Sequence, residues 1–117
     1  MKKLLLIAAI LTAPLASAGD MYLFCQDNNA NSEDDFIVNE PILDDVRTGG
    51  SYAMAGFELG DKVYSVYASI APTDEKWQVR IWSQKQGGSL SSTSIVDHEV
   101  CGDPIRLDSR VQCWVCD

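Results

Sequence analysis

Carboxylate and amide side chains alternate along residues 27–35, and this polar stretch is the best candidate for a metal site. The alternating positions are Asp27, Asn29, Asn31, Glu33 and Asp35. Calcium takes about six to eight oxygen ligands, so such a loop could supply much of a calcium site. It is not an EF-hand, because Ser32 stands where that loop has Gly and Val38 where it has the bidentate Glu. The alternatives are a looser calcium loop, completed by Asp44 or Asp45, and an ordinary solvated loop.

His98 is the only histidine of the chain and the side chain best suited to acid–base catalysis near neutral pH. It lies between Asp97 and Glu99, and these carboxylates would raise its pKa if they packed against the ring. However, no serine lies in a recognised nucleophile motif such as G-x-S-x-G or S-x-x-K. A hydrolase that uses His98 is therefore the weakest hypothesis, and we expect the protein not to be an enzyme.

The chain has four cysteines, and all of them follow residue 18: Cys25, Cys101, Cys113 and Cys116. An even count in a small exported chain predicts two disulfides. The C-x-x-C spacing also occurs in redox sites, but there it begins a helix, whereas here it ends an alternating, strand-like segment. Three residues of strand separate Cα atoms by about 10 Å, more than the roughly 7 Å that a disulfide spans. We therefore expect Cys113 and Cys116 to pair with Cys25 and Cys101. A four-thiolate zinc site is the alternative, which an oxidising compartment disfavours.

Two tryptophans, Trp82 and Trp114, lie on the polar side of alternating segments. Arg80 shares that side with Trp82, and Arg106 and Arg110 share it with Trp114. Trp and Arg are enriched among the residues that dominate binding energies. The pattern predicts one exposed recognition face that contains all five residues. The alternative is that both faces of the sheet are covered and the tryptophans are packed.

Residues 1–18 have the pattern of a secretory signal peptide. Lys2 and Lys3 precede an apolar run that is too short to span a bilayer, and Ala16-Ser17-Ala18 resembles a cleavage site. We therefore expect a periplasmic or extracellular protein in which residues 19–117 form a single β domain. Loss of the two lysines would change the formal net charge from −8 to −10. Such a charge disfavours nucleic acid and favours basic partners or cations.

The elements that position these residues are predicted to be strands. The clearest is a hairpin over residues 52–70, in which Gly60-Asp61 suits a two-residue type II′ turn. This turn pairs Phe57 with Tyr64 on one side of the hairpin and leaves a second, mixed side that contains Tyr52, Met54 and Tyr67. Further strands are predicted at residues 21–25, 36–38, 76–83, 90–96 and 105–115, and residues 41–47 are either a short helix or a loop. The fold class predicted is all-β: a small antiparallel sandwich or barrel of about six to eight strands, stapled by disulfides.

The sequence alone identifies no family, and the function is predicted only by class. Small, acidic, disulfide-bonded β-domains of the periplasm include inhibitors of cell-wall hydrolases. The first hypothesis is therefore a non-enzymatic exported binding or inhibitor module for an unknown protein or cell-envelope ligand. The alternative is a structural protein stabilised by calcium. No organic cofactor, nucleic-acid partner or membrane span is predicted.

Overall fold

The computed structural model describes residues 21–29 and 35–117, and these form nine strands in two antiparallel sheets. The predicted signal peptide lies outside the described residues. The strands are β1 (Tyr22–Asp27), β2 (Val38–Pro41), β3 (Leu43–Asp44), β4 (Ser51–Leu59), β5 (Lys62–Ile70), β6 (Trp77–Lys85), β7 (Leu90–His98), β8 (Ile105–Leu107) and β9 (Val111–Cys116). The four-stranded sheet has the order β2-β1-β9-β8 and the five-stranded sheet the order β3-β4-β5-β6-β7. Within the described ranges no helix is long and apolar enough to cross a membrane. The all-β antiparallel prediction is confirmed.

The β4–β5 hairpin has the predicted register. Phe57 pairs with Tyr64 and Leu59 with Lys62, and Gly60 has the positive φ of 63° that its place in the turn requires. The Phe57 and Tyr64 rings stack with centroids 5.4 Å apart. The hairpin therefore directs one set of alternating side chains inward, and it fixes which residues remain on the outer face.

The core lies between the inner faces of the two sheets. Tyr64, Val79 and Ile81 of the five-stranded sheet and Leu23 and Val115 of the four-stranded sheet belong to one buried cluster. Burial of each such side chain stabilises the fold by about 1.5–3 kcal/mol relative to leaving it in water. The period of two then leaves the intervening residues of each strand on two outer faces, one for each sheet.

Both disulfides form as the strand geometry predicted, since neither joins Cys113 to Cys116. Cys25–Cys113 links β1 to β9 inside the core, where both residues are 0% exposed. Cys101–Cys116 fastens the connection between β7 and β8 to the end of β9. All four cysteines are paired, and the small core is thereby reinforced at two places.

The single strand predicted over residues 105–115 is wrong, because the segment is a hairpin of β8 and β9. Asp108 and Ser109 both have positive φ, 58° and 54°, and the N–H of Arg110 donates to the carbonyl of Leu107 at 3.1 Å. Alternation continues through the turn because Leu107 and Val111 are paired and both face the core. The extra turn, together with the two-residue β3 in the 41–47 loop, raises the strand number above the predicted range. Residues 41–47 do not form the short helix; they contain the end of β2, the strand β3 and the start of a turn.

The turn residue Asp108 joins the two sheets through its carboxylate. It accepts hydrogen bonds from Ser92 Oγ at 2.8 Å, from Lys62 Nζ at 3.0 Å and from Ser83 Oγ at 3.1 Å. Burial raises the pKa of Asp108, but these hydrogen bonds outweigh it and hold the pKa below its usual value. The carboxylate is therefore ionised at neutral pH and ties the β8–β9 turn to β5, β6 and β7.

Candidate functional site

The outer face of the five-stranded sheet carries more aromatic and apolar side chains than a solvated sheet face requires. Met54, Tyr67, Arg80 and Ile95 form one row across β4, β5, β6 and β7. Met54 is 58% exposed and Ile95 47% exposed. Met54 is directly opposite Tyr67 in this row, and adjoining exposed apolar and aromatic side chains are typical of interaction sites.

Two tyrosines stack on this face. The ring centroids of Tyr52 and Tyr67 are 6.4 Å apart, and the ring planes are inclined by 28°. Tyr52 is on β4 and Tyr67 on β5, at diagonal positions of the register, so the rings come together from neighbouring strands. Both side chains are half-buried, which leaves part of each aromatic surface available to a ligand.

The stacked rings line two adjoining cavities, which we call the tyrosine groove. The larger has a volume of about 680 Å³ and the smaller about 430 Å³. They share Asp45, Tyr52 and Tyr67. The larger extends along Gln78 to the loop between β5 and β6, and the smaller extends over Met54. Together the two cavities form an open depression of the size that peptide side chains occupy.

The tyrosine groove has an acidic rim. Five carboxylates and two cations line it: Asp44, Asp45, Asp74, Glu75, Asp97, Arg47 and Lys76, which leaves three negative charges in excess. Both cations already have anionic partners, since Arg47 lies 3.7 Å from Asp45 and Lys76 lies 3.7 Å from Glu99. The backbone N–H of Arg47 donates to Asp45 and lowers the pKa of that carboxyl. The groove is therefore an anionic site with an aromatic floor.

The predicted recognition residues do not share one face. Arg80 and Trp82 lie on the outer side of the five-stranded sheet, whereas Arg106 and Trp114 lie on the outer side of the four-stranded sheet. Arg110 follows the β8–β9 turn and also belongs to the four-stranded side. The period of two was correct within each segment, but alternation alone does not say which sheet a strand joins. The single-face prediction is therefore wrong.

Trp114 is packed against other aromatic rings, as the alternative hypothesis predicted. Its ring lies 5.7 Å from that of Phe24 and 6.0 Å from that of Phe36, and Phe24 in turn contacts Tyr22 at 6.0 Å. Arg110 Nε lies 3.3 Å from Asp27 Oδ1. The arginine is thus engaged within the chain, and the aromatic residues of the four-stranded sheet cover one another.

The predicted calcium loop is only partly within the described residues, because Asn31 and Glu33 lie outside them. Asp27 accepts a hydrogen bond from the N–H of Asn29 at 2.9 Å and is ion-paired with Arg110. Asp35 is exposed. The guanidinium of Arg110 already neutralises the carboxylate of Asp27. A calcium ion that bound Asp27 would have to displace this guanidinium.

His98 is buried at the end of β7, where it is 3% exposed and paired with Trp77. Neither ring nitrogen has a hydrogen-bond partner among the described residues. Burial lowers the pKa of His98 and outweighs the nearby backbone of Asp103 and Gly102 and the charges of Asp103 and Glu99, all of which raise it. The direction is opposite to the one expected from its neighbours in sequence. The imidazole is enclosed by the fold, and this placement gives the hydrolase hypothesis no support.

Sequence reasoning missed the tyrosine groove as a site, although a signal was present. In the sequence, one side of the hairpin is mixed rather than purely polar and contains Tyr52, Met54 and Tyr67. The rim residues come from separate parts of the chain, around residues 44–48, 73–76 and 97. Only the folded arrangement brings these carboxylates to the tyrosines.

No family model matches the chain, and no curated protein and no solved structure is significantly similar to it.

Proposed function

We propose that the protein is an exported, non-enzymatic binding module whose tyrosine groove binds a basic segment of a partner protein. The observation that carries the proposal is the stacked pair Tyr52 and Tyr67 beneath a rim with three negative charges in excess. Two disulfides support the placement in an oxidising compartment. A cell-wall hydrolase inhibited in this way would be one such partner, provided that it presents a basic segment.

A lysine or arginine side chain fits the chemistry of the groove. Its aliphatic stem would pack on the tyrosine rings, and its charge would lie near the face of a ring and near the rim carboxylates. A cation over an aromatic face gains about 0.5–2 kcal/mol, depending on how far it is desolvated. The rim adds attraction that weakens as salt screens it, since the Debye length is about 10 Å at 0.1 M ionic strength.

The test is a binding titration with a hexaarginine peptide, followed by fluorescence anisotropy. We expect binding that weakens with added salt and that falls about two- to thirty-fold in Tyr67→Ala, from the range above. Tyr22→Ala is the matched control, because Tyr22 is an exposed tyrosine on the other sheet, and it should bind as the unmodified protein does.

A second pair of variants tests the rim. Asp97→Asn removes a groove carboxylate, and Asp61→Asn removes one at the far tip of the β4–β5 hairpin. Both change the net charge equally, so a general electrostatic attraction would weaken equally in both. Weakening confined to Asp97→Asn supports the groove. Equal effects in the two variants, or in Tyr67→Ala and Tyr22→Ala, would overturn the proposal.

A further inference from the structure

β7 is the last strand of the five-stranded sheet, and only one of its sides is paired. Across residues 21–29 and 35–117, the backbone of β7 pairs with β6 alone. The pairing is regular from Trp77–His98 to Ser83–Ser92, and the one shift occurs beside Gln84 at the start of the strand. The other side of residues 92–98 therefore presents a straight row of backbone donors and acceptors.

The sequence of β7 protects this edge little, since its one carboxylate, Asp97, lies near the end of the strand. Residues Leu90 to Val96 contain no charged residue and no proline, although 22% of the chain is charged. Proteins usually protect a long edge strand with a charge, a proline or a bulge in its middle. Here Ile95, which is 47% exposed, lies in the middle of the regular part instead.

The opposite edge of the same sheet differs. β3 pairs only with Ser51 and Tyr52, so the rest of β4 is a second open edge. That stretch contains the charged Glu58, which accepts a hydrogen bond from Gln86 at 2.8 Å, and it contains Gly56. Of the two edges, β7 is the longer uncharged one, and it is the better template for another strand.

We propose that β7 pairs in antiparallel fashion with β7 of a second copy of this chain, about a two-fold axis at Ile95. In this register Ile95 faces Ile95 of the second copy, and Thr93 faces Asp97 of the second copy. Asp97 thus avoids its own equivalent, which matters because like charges directly opposite each other destabilise a sheet. The pairing is isologous and closed, so it stops at a dimer.

The dimer would have one continuous sheet of ten strands. A two-fold axis that relates antiparallel neighbouring strands is perpendicular to the sheet, so both outer faces lie on the same side. The two tyrosine grooves would then open in the same direction, since Asp97 of each groove is on β7 itself.

Salt dependence separates this pairing from groove binding. Each copy has a formal net charge of −8, or −10 without residues 1–18, so the copies repel each other and added salt should strengthen the dimer. Binding of a basic peptide in the groove should change in the opposite direction. The two proposals can therefore fail separately.

The test is sedimentation velocity on the oxidised protein at about 100 μM, at low and at high salt. We expect a dimer that strengthens with salt. Ile95→Lys opposes two ammonium groups at the axis and should give a monomer. Gln84→Lys makes the same charge change on the exposed outer side of β6, an interior strand, and should leave the dimer intact.

The register has its own test. Thr93→Lys places an ammonium opposite Asp97 of the second copy at two symmetric positions, and it should tighten the dimer by about two- to thirty-fold. If Ile95→Lys does not fold, Thr93→Lys still tests the proposed pairing. A protein that is monomeric at every salt concentration overturns the proposal. The proposal is also overturned if Met54→Lys on β4 abolishes the dimer and Ile95→Lys leaves it intact, because that result assigns the pairing to the other edge of the sheet.

Discussion

The two disulfides should stabilise the protein to different extents, and the structure gives the order. Cys25 and Cys113 are separated by 88 residues and Cys101 and Cys116 by 15. The loss of chain entropy in the unfolded state grows with the logarithm of this separation. It amounts to about 4.6 kcal/mol for the longer loop and about 3 kcal/mol for the shorter one.

Burial increases the difference between them. Cys25 and Cys113 are both 0% exposed and belong to the core, so replacing them with Ala removes packed sulfur atoms and adds a cavity term. Cys101 is exposed and Cys116 half-buried, so water can fill the space that their replacement leaves. The expected difference between the two double variants is thus about 1.6 kcal/mol from the loop lengths, plus the packing loss.

Urea unfolding measures this difference. Cys25→Ala/Cys113→Ala and Cys101→Ala/Cys116→Ala would be unfolded without reductant and followed by far-ultraviolet circular dichroism. Each midpoint is converted to a free energy of unfolding with the fitted slope. Equal losses, or a larger loss on removing Cys101–Cys116, would refute the reasoning from loop length and burial.

Three further changes test the turn, the buried histidine and the polar loop. Gly60→Val should lower the free energy of unfolding by about 1 kcal/mol or more, because its φ of 63° excludes a β-branched residue although no neighbouring atom would clash; a neutral result in urea unfolding would argue against the turn. Burial lowers the pKa of His98 below its ordinary 6.5, so the unfolded chain takes up the proton first as pH falls. Stability should therefore decrease on acidification through that value, by at most about 1.4 kcal/mol per pH unit. His98→Phe should flatten this decrease, and an identical pH profile would contradict the assignment. Excess calcium should change the melting temperature little, because Arg110 is paired with Asp27; a clear rise that Asp27→Ala abolishes would favour the calcium-stabilised alternative.

Local rules were sufficient where one turn or one strand decided the outcome. Gly60-Asp61 determined the register of the β4–β5 hairpin, which in turn determined which side chains face the core. The reach of an extended strand excluded a bond between Cys113 and Cys116, and neither of the two disulfides makes it. These inferences involve residues that are close in sequence or constrained by covalent geometry.

The sequence pattern was misleading where two backbone conformations give the same alternation of inward and outward side chains. A straight strand and a hairpin both place Leu107 and Val111 toward the core, so the pattern concealed the turn at Asp108 and Ser109. An aspartate–serine pair tolerates turn conformations, and this composition was the available signal. Similarly, the period of two gave Trp82 and Trp114 as outward residues but could not show that they belong to different sheets.

The burial of His98 and the assembly of the tyrosine groove depend on the tertiary fold. His98 is enclosed because β7 pairs it with Trp77 and the following connection is fastened by Cys101–Cys116. In the groove, Asp97 comes to the tyrosines through the pairing of β7 with β6 and of β6 with β5. Neither arrangement follows from a short stretch of sequence.

The most direct test of the proposed function is to map the hexaarginine peptide onto the protein by nuclear magnetic resonance. Amide signals of the ¹⁵N-labelled protein would be followed as peptide is added at low salt. The tyrosine groove predicts saturable shifts that are largest at Tyr52, Tyr67 and Asp97, with Trp114 and the rest of the four-stranded sheet unchanged. Shifts that are absent, or that centre on Trp114, would contradict the proposal.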